Sequence, residues 1–167
     1  MQITVTPESF RLAEVFTISR GSRTEAKVLT VRVMDGPAQG WGECVPYARY
    51  GESPESVTAG IEALKVPFTR AELQGMVPAG AARNAVDCAL WDLEAKRTGR
   101  RVWELAGLAR PGPVITAYTL SLAEPGAMRA AAMRHAHRPL LKIKLGGEGD
   151  MARLEAVRAG APKARII

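Results

Sequence analysis

Two lysines, Lys142 and Lys144, are the residues whose type and spacing point most directly to chemistry. They lie two positions apart in the apolar stretch 140–145, and in a β-strand such residues project side by side to one face. Two neighbouring ammonium groups repel each other, and burial disfavours the charged form of an amine. Both effects favour a neutral amine that can act as a base. The same alternation is also typical of an amphipathic surface strand with both lysines in water.

The elements around the lysine pair favour an enclosed position for it. Helical patterns at residues 124–137 and 150–159 flank this strand, and residues 114–122 and 165–167 are predicted to be further strands. Such alternation of strands and helices builds a parallel sheet covered by helices, or a closed barrel with a packed interior. A lysine pair that faces such an interior has little bulk water around it, which favours chemistry over simple solvation.

The first part of the chain has a different pattern. Short strands are predicted at residues 2–6, 10–12 and 27–34, and turn residues at 35–37 and 40–42 indicate a hairpin. This opening is therefore rich in strands and lacks the regular alternation with helices seen later.

Two helices and a candidate linker complete the first part. Ser53 is suited to cap a helix that runs to about residue 65, because proline follows it at the first helical position. Residues 81–97 predict a longer helix that Gly99 ends. A Pro-Gly-Pro segment at 111–113 follows. The sequence thus predicts two domains, residues 1–113 and residues 114–167.

Composition and charge exclude several classes of function. With 47% hydrophobic and 24% charged residues the chain is globular, and no apolar run reaches the length of a membrane span. We expect a cytoplasmic protein with no membrane partner. The net charge is +6, but the basic residues are scattered and no aromatic residues interleave them, so nucleic-acid binding is not favoured. Cys44 and Cys88 fit no metal or redox spacing and are expected to be reduced thiols.

Five motifs, taken in order, resemble the enolase superfamily. FTISRG at 16–21 resembles the flexible first loop of the capping domain, and GWGECVPY at 40–47 resembles the strand that leads into its second loop. ALWDL at 89–93 with Lys96 resembles the signature capping helix, while AYTLS at 117–121 and the Lys-x-Lys strand resemble the first two barrel strands. Within the superfamily the chain resembles the muconate-lactonizing-enzyme subgroup, and within that the dipeptide epimerases of the L-Ala-D/L-Glu type.

This resemblance implies both a fold and a reaction. The fold would be an α+β capping domain followed by the first strands and helices of an incomplete (β/α) TIM-type barrel. The reaction would be a racemisation or epimerisation of an amino-acid derivative. In sites of this superfamily, Mg²⁺ binds the substrate carboxylate and stabilises the enediolate that forms when the α-proton leaves.

The resemblance also implies roles for four residues. Lys144 would be the acid/base on one face of the α-carbon, and Lys142 would assist it by its positive charge. Arg20, on the first loop, would pair with a distal substrate carboxylate, because its planar fork suits a carboxylate. Thr119 would line the pocket.

The positions of the metal ligands depart from the family pattern. In the family, the first ligand is an aspartate just after the start of the third barrel strand, and two more acids and the opposite-face lysine follow; all would lie beyond Ile167. Within the chain, Asp150 is better interpreted as a helix N-cap, and His135 and His137 point to different faces of a helix. We therefore expect the 167 residues to be the N-terminal portion of a longer, homo-oligomeric enzyme and to be inactive alone.

Other functions remain open. N-acylamino-acid racemase, o-succinylbenzoate synthase and cycloisomerase activities belong to the same superfamily, and the residues that would distinguish them lie in the missing part. A hypothesis of a different class is a non-catalytic capping or binding module that associates through an exposed sheet edge.

Overall fold

The computed structural model describes all 167 residues, which divide into two compact units. The first unit comprises residues 1–10 and 27–111, and the second comprises residues 11–26 and 112–167. The long hairpin at the start of the chain therefore contributes its base to the first unit and its tip to the second. The division into two domains at residue 113 stays a prediction.

The first unit contains a sheet of three strands in the order β1-β2-β3. Strands β2 and β3 pair antiparallel, from Leu29 opposite Cys44 to Asp35 opposite Ala38. The strands are β1 (Gln2–Ile18), β2 (Gly21–Asp35) and β3 (Ala38–Cys44).

Strand β1 is longer than the sequence indicates. Two short strands are predicted at 2–6 and 10–12, whereas the structure has one strand of 17 residues. Most side chains between residues 6 and 17 are exposed, so no apolar pattern marks this part of the strand. Backbone pairing within the hairpin, which apolar periodicity does not report, defines it instead.

Four helices follow in the first unit: α1 (Pro54–Glu62), α2 (Arg70–Met76), α3 (Ala81–Thr98) and α4 (Val102–Leu105). Ser53 caps α1 as predicted, although the helix ends three residues before position 65. Gly99 ends α3 in a left-handed conformation with φ of 67°, also as predicted. The short helices α2 and α4 lack a long periodic pattern and are not predicted from the sequence.

Helix α3 lies unusually close to strand β3. A side chain on Gly40 would place its Cβ 2.0 Å from the carbonyl oxygen of Ala89, and one on Gly42 would place it 2.0 Å from that of Ala85. Only glycine permits this approach. The core of the first unit forms around this contact from apolar side chains of the sheet and helices: Leu29, Val31, Val33, Cys44, Val57, Ile61, Leu73, Ala85, Val86, Ala89, Leu90 and Leu93.

The second unit alternates strands and helices. Its parallel sheet has the order β4-β5-β6, and the elements are β4 (Tyr118–Leu120), α5 (Pro125–Arg134), β5 (Leu140–Ile143), α6 (Asp150–Gly160) and β6 (Arg165–Ile166). Strand β4 is shorter than the predicted 114–122, and Val114, at the start of that stretch, is 88% exposed. The core of this unit consists of Leu120, Met128, Ala132, Leu141, Val157, Ala161 and Ala164.

The observed architecture confirms the predicted fold class. An α+β unit with an antiparallel sheet comes first, and a partial parallel sheet with intervening helices follows it. None of the helices is both long enough and apolar enough to cross a membrane.

Candidate active site

Thr119 and Lys142 lie directly opposite each other on the neighbouring strands β4 and β5. Leu141 and Ile143, which alternate with Lys142 along β5, belong to or pack against the helix-covered core. Lys142 and Thr119 therefore project to the other face of the sheet. Lys144 follows directly after the strand, two residues beyond Lys142. The structure thus brings Thr119 and Lys142 together on neighbouring strands, with Lys144 directly after the second of them.

The lysine pair is more accessible than the sequence pattern suggests. Lys142 is exposed and Lys144 is half-buried. Three parallel strands form an open sheet and cannot enclose their inner face, whereas a closed barrel can. The expected enclosure is therefore not provided by these 167 residues.

Arg20, the fourth predicted residue, lies in the two-residue turn at the tip of the β1–β2 hairpin. The hairpin is anchored just before this turn. The amide of Leu122 donates to the carbonyl oxygen of Thr17 over 3.0 Å, and the amide of Thr17 donates to Ser121 Oγ over 2.7 Å. Ser121 Oγ in turn donates to the carbonyl oxygen of Val15 over 3.3 Å. The tip that carries Arg20 is thereby fixed to the residues that follow β4.

The loop after Lys144 is closed by Asp150. The amides of Gly146 and Gly147 donate to its two carboxylate oxygens over 2.9 and 2.8 Å. The hydrogen bond from Gly146 is the largest influence on the carboxyl group, and with those from Gly147 and Arg153 it holds the pKa of Asp150 below its usual value.

The interpretation of Asp150 as an N-cap is wrong. Gly149, in a left-handed conformation with φ of 78°, occupies the cap, and Asp150 is the first residue of α6. Its carboxylate folds back onto the preceding loop because two glycine amides there are available as donors. The sequence alone does not show whether Asp150 accepts from amides in the first turn of the helix, as an N-cap would, or from amides in the preceding loop.

The guanidinium of Arg153 joins the loops that follow β4 and β5. Its Nε donates to the carbonyl oxygen of Ala123 over 3.1 Å, and Nη1 donates to that of Glu148 over 2.6 Å. Nη1 also lies 3.1 Å from Asp150 Oδ1. Sequence reasoning missed both Arg153 and Ser121, since an arginine on a helix and a serine after a strand carry no distinguishing pattern.

The chain's own side chains do not fit a magnesium ion. No group of three or more His, Cys, Asp or Glu side chains is arranged to hold a metal ion. Asp150 is occupied by the two glycine amides and Arg153. His135 caps the end of α5, which ends at Arg134, and its ring centroid lies 4.0 Å from that of Tyr118. The expectation that His135 and His137 both lie within a helix is therefore wrong.

Two of the sequence motifs meet in the first unit. The amide of Trp41, from the GWGECVPY stretch, donates to Asp92 Oδ2 over 2.8 Å, and Lys96 Nζ lies 2.6 Å from the same oxygen. The motif residues of β3 and α3 therefore serve to join the strand to the helix. The segment after β3 is held by Glu52, which accepts from the amides of Tyr47 over 3.1 Å and Ala81 over 2.6 Å.

Comparison with known proteins shows which family the chain is similar to. The model of the family described as "Mandelate racemase / muconate lactonizing enzyme, N-terminal domain" matches residues 1–107. The chain is 43% identical over 171 residues to the L-Ala-D/L-Glu epimerase of Escherichia coli (strain K12), a match that covers 99% of this chain and 53% of the relative. It is 42% identical over 146 residues to the N-acetyl-D-glutamate racemase of Pseudoalteromonas sp, covering 84% of this chain and 46% of the relative. The chain thus spans about half the length of the curated relatives it matches.

Solved structures similar to this chain include a dipeptide epimerase and a homologue of dipeptide epimerases. An enolase family member from Agrobacterium tumefaciens with homology to dipeptide epimerases, with bound sodium and L-Ala-L-Glu, is 56% identical with a TM-score of 0.92. The match covers 98% of this chain and 52% of that chain. A dipeptide epimerase from Methylococcus capsulatus, complexed with Mg and the dipeptide L-Arg-D-Lys, is 28% identical with a TM-score of 0.85, covering 99% of this chain and 52% of that chain.

Proposed function

Because the chain belongs to the mandelate racemase / muconate lactonizing enzyme family of the enolase superfamily, we propose that the protein carrying it epimerises dipeptides of the L-Ala-D/L-Glu type. The relatives described above are epimerases and racemases, which are isomerases. The observation that carries the proposal is the position of Lys142 opposite Thr119, with Lys144 two residues further on. The hairpin tip that bears Arg20 is anchored to the residues that follow the same strand β4.

Lys144 is the proposed base. Its amine takes the proton from the carbon next to the substrate carboxylate, and the electrons of the broken C–H bond move into the carboxylate to form an enediolate. Lys142, whose ammonium projects from the strand just before Lys144, stabilises the negative charge that develops on the oxygens. A group outside these residues returns a proton to the opposite face, which inverts the carbon.

Arg20 and Thr119 are proposed to bind the substrate. The guanidinium of Arg20 can donate to both oxygens of a glutamate side-chain carboxylate in a bidentate pair. A lysine in its place would offer only a point charge, so Arg20 would select for an acidic side chain. Thr119, opposite Lys142, would contribute a wall of the pocket beside the reacting carbon.

Magnesium, if this protein follows the family, would be held by acidic residues outside this chain, since the side chains present do not form such a site. The roles above are therefore those of Lys144, Lys142, Arg20 and Thr119 alone. We expect the 167-residue chain by itself not to catalyse the exchange.

The second candidate function is racemisation of an N-acylated glutamate. The 42% identity to an N-acetyl-D-glutamate racemase favours it. An N-acetylglutamate and an L-Ala-L-Glu dipeptide share the glutamate half, in which the reacting carbon and the distal carboxylate are identical. Arg20 and Lys144 would therefore serve both substrates, and only the group on the nitrogen would differ.

The test follows the α-proton. The product of the full coding sequence is incubated with L-Ala-L-Glu and Mg²⁺ in D₂O, and proton NMR measures loss of the glutamate α-proton signal. We expect exchange that Lys144→Ala lowers by about a thousandfold, because a positioned base contributes on the order of 10² to 10⁴ in rate. Lys163→Ala, which removes an exposed lysine from the turn before β6, is the matched control and should leave the rate unchanged.

The relative rates with the two substrates decide between the proposals. Exchange of L-Ala-L-Glu that is faster than that of N-acetyl-L-glutamate supports the dipeptide epimerase, and the reverse order supports the racemase. Absence of exchange with both substrates, or equal rates for the wild type and Lys144→Ala, contradicts the assigned chemistry. Exchange by the 167-residue chain alone would contradict the expectation that it lacks essential groups.

A further inference from the structure

Hydrogen bonds connect the loop after Lys144 with the residues after β4, and those residues in turn bind the hairpin that carries Arg20. We call the pair of side chains at the centre of these contacts, Asp150 and Arg153, the loop clasp. Asp150 holds the amides of Gly146 and Gly147, and Arg153 reaches across to the carbonyl oxygen of Ala123. All of these residues belong to the second unit.

The segment after Lys144 is shaped by the Asp150 carboxylate, by the bond from Arg153 to Glu148, and by one backbone hydrogen bond, from the amide of Asp150 to the carbonyl oxygen of Gly147 over 3.2 Å. It contains Gly146 and Gly147, which have no side chains, and Gly147 has a φ of 112° that other residues rarely adopt. Glycine in a loop leaves many backbone conformations accessible, and each hydrogen bond to the backbone removes some of them. The two hydrogen bonds from these glycine amides to Asp150 therefore restrict the backbone conformation directly after the proposed base.

Arg153 supports this arrangement from the helix. Its side chain is 17% exposed, and its guanidinium bonds Asp150 and the carbonyl oxygen of Glu148 on the Lys144 loop while Nε bonds Ala123 on the other loop. A guanidinium presents five N–H donors in a fixed planar fork, whereas an ammonium has three on a flexible stem and an amide has two. Replacing it would leave carbonyl oxygens of both loops without this donor.

The neighbouring loop is in turn tied to the Arg20 hairpin. The side chain of Leu122, next to Ala123, lies against Gly146, where an added Cβ would be 3.0 Å from Leu122 Cδ2. The amide of Leu122 donates to the carbonyl oxygen of Thr17 in the hairpin. Arg153 thus contacts both the loop that follows Lys144 and the loop after β4 to which the hairpin is anchored.

We propose that Arg153 is a positioning residue, which acts through Asp150 and the carbonyl oxygens of Ala123 and Glu148 to hold the Lys144 loop in its working position. Its effect on turnover rests on the proposed function, whereas its effect on the loop does not. Because the hairpin has its own anchor at Ser121, Arg153 is assigned to the rate of proton transfer and not to substrate affinity.

Helix α6 offers a matched control. Arg158 lies five residues beyond Arg153 on the same helix, and its Nη1 donates to the carbonyl oxygens of Pro162 over 3.1 Å and Ala164 over 2.7 Å. It therefore makes comparable contacts to backbone oxygens, but at the other end of the helix. Arg153→Gln and Arg158→Gln should lower the melting temperature by similar amounts.

The kinetic arm uses the product of the full coding sequence and the dipeptide exchange assay. We expect Arg153→Gln to lower kcat about tenfold with KM changed less than twofold, and Arg158→Gln to leave both within twofold. Arg153→Lys, which keeps the charge without the fork, should restore part of the rate. Equal losses of kcat in Arg153→Gln and Arg158→Gln, or an unchanged kcat in Arg153→Gln, would overturn the proposal.

The structural arm needs no activity. Amide hydrogen exchange of Gly146 and Gly147, followed by NMR, should accelerate about tenfold in Arg153→Gln and remain as in the wild type in Arg158→Gln. If the wild type turns over neither substrate but this selective acceleration is found, the proposed function fails while the role of Arg153 in holding the loop stands. If the two glycines exchange equally fast in the wild type and both variants, the positioning role is wrong whatever the activity.

Discussion

The amide of Thr17 donates to Ser121 Oγ over 2.7 Å, although the two residues are 104 positions apart. The same hydroxyl donates to the carbonyl oxygen of Val15, so one small side chain bridges two points of a hairpin strand. Arg20 lies three residues beyond Thr17, in the turn. A loop that binds substrate gains affinity when it is held in place beforehand, because less conformational entropy is lost on binding.

Replacing Ser121 should therefore weaken substrate binding more than it slows chemistry. In the full-length protein, we expect Ser121→Ala to raise KM for L-Ala-L-Glu about fivefold with a change of less than twofold in kcat. The cause is the loss of the two hydrogen bonds by which the Ser121 hydroxyl orders the hairpin. Ser121→Thr keeps the hydroxyl and should retain most of the affinity. Steady-state kinetics of both variants test this, and a fall in kcat at constant KM would contradict it.

The contact between β3 and α3 predicts a steric cost at Gly42. A Cβ there would lie 2.0 Å from the carbonyl oxygen of Ala85, so strand and helix must move apart in Gly42→Ala. We expect the free energy of unfolding to fall by about 3 kcal/mol, the upper range for overpacking a close-packed core. Urea denaturation measures it.

Gly60→Ala is the control for this substitution. Gly60 lies on an exposed face of α1, and an added Cβ would meet nothing within 4 Å. Alanine is the better helix former, so this variant should gain up to about 1 kcal/mol. A similar stability for the Gly42→Ala and wild-type proteins would show that β3 and α3 are not packed as described.

Glu52 predicts a second stability effect in the first unit. Its carboxylate accepts from the amide of Ala81 at the start of α3 and from that of Tyr47. A negative charge at a helix N-terminus is favourable, and charge-assisted hydrogen bonds are stronger than neutral ones. We expect Glu52→Gln to lower the free energy of unfolding by about 1 kcal/mol, measured by urea denaturation.

Glu62→Gln serves as the comparison for Glu52. Glu62 is exposed and ends α1, where a negative charge is not favoured by the helix dipole. Its replacement should leave stability unchanged or raise it slightly. If both substitutions changed the free energy of unfolding equally, Glu52 would affect stability through the net charge of the protein and not through its hydrogen bonds.

The parts of the fold that the sequence predicts well are those with a dense apolar period. The sequence predicts helix α3 at residues 81–97, and the helix spans Ala81–Thr98, because its buried apolar stripe and Gly99 mark it clearly. Residues 7–9 and 13–18 of β1 are not predicted, because their side chains are mostly exposed and only backbone pairing defines them. Helix α2, with seven residues and one buried side chain, Leu73, is too short for periodicity to indicate it.

The candidate site divides in the same way. The placement of Lys142 beside Thr119 follows from alternation and parallel pairing, which are local rules. Ser121 and Arg153 depend on acceptors that are 106 and 30 residues away in the chain, so no local rule points to them. Enclosure of the lysines depends on how many strands the parallel sheet has. The sheet of this chain has three strands, too few to close around them.

The last prediction concerns pH and rests on His135. Its ring lies 4.0 Å from that of Tyr118 and is half-buried, and the guanidinium of Arg138 lies 4.4 Å from the same tyrosine ring. Burial lowers the pKa of His135 most, and the positive charges of Arg138, Arg134 and His137 add to this, while Glu14 opposes it.

The folded state therefore binds a proton at His135 less readily than the unfolded state does. The free energy of unfolding should fall as the pH drops through about 6.5, where the unfolded histidine is half protonated, and level off below the lowered folded-state pKa. His135→Gln removes this titration and should flatten the stability curve between pH 7 and pH 5. His137→Gln, which replaces an exposed histidine two residues away, should keep the slope of the wild type. Denaturant titrations at several pH values compare the three proteins, and a wild-type slope in His135→Gln would show that protonation of this ring is not coupled to unfolding.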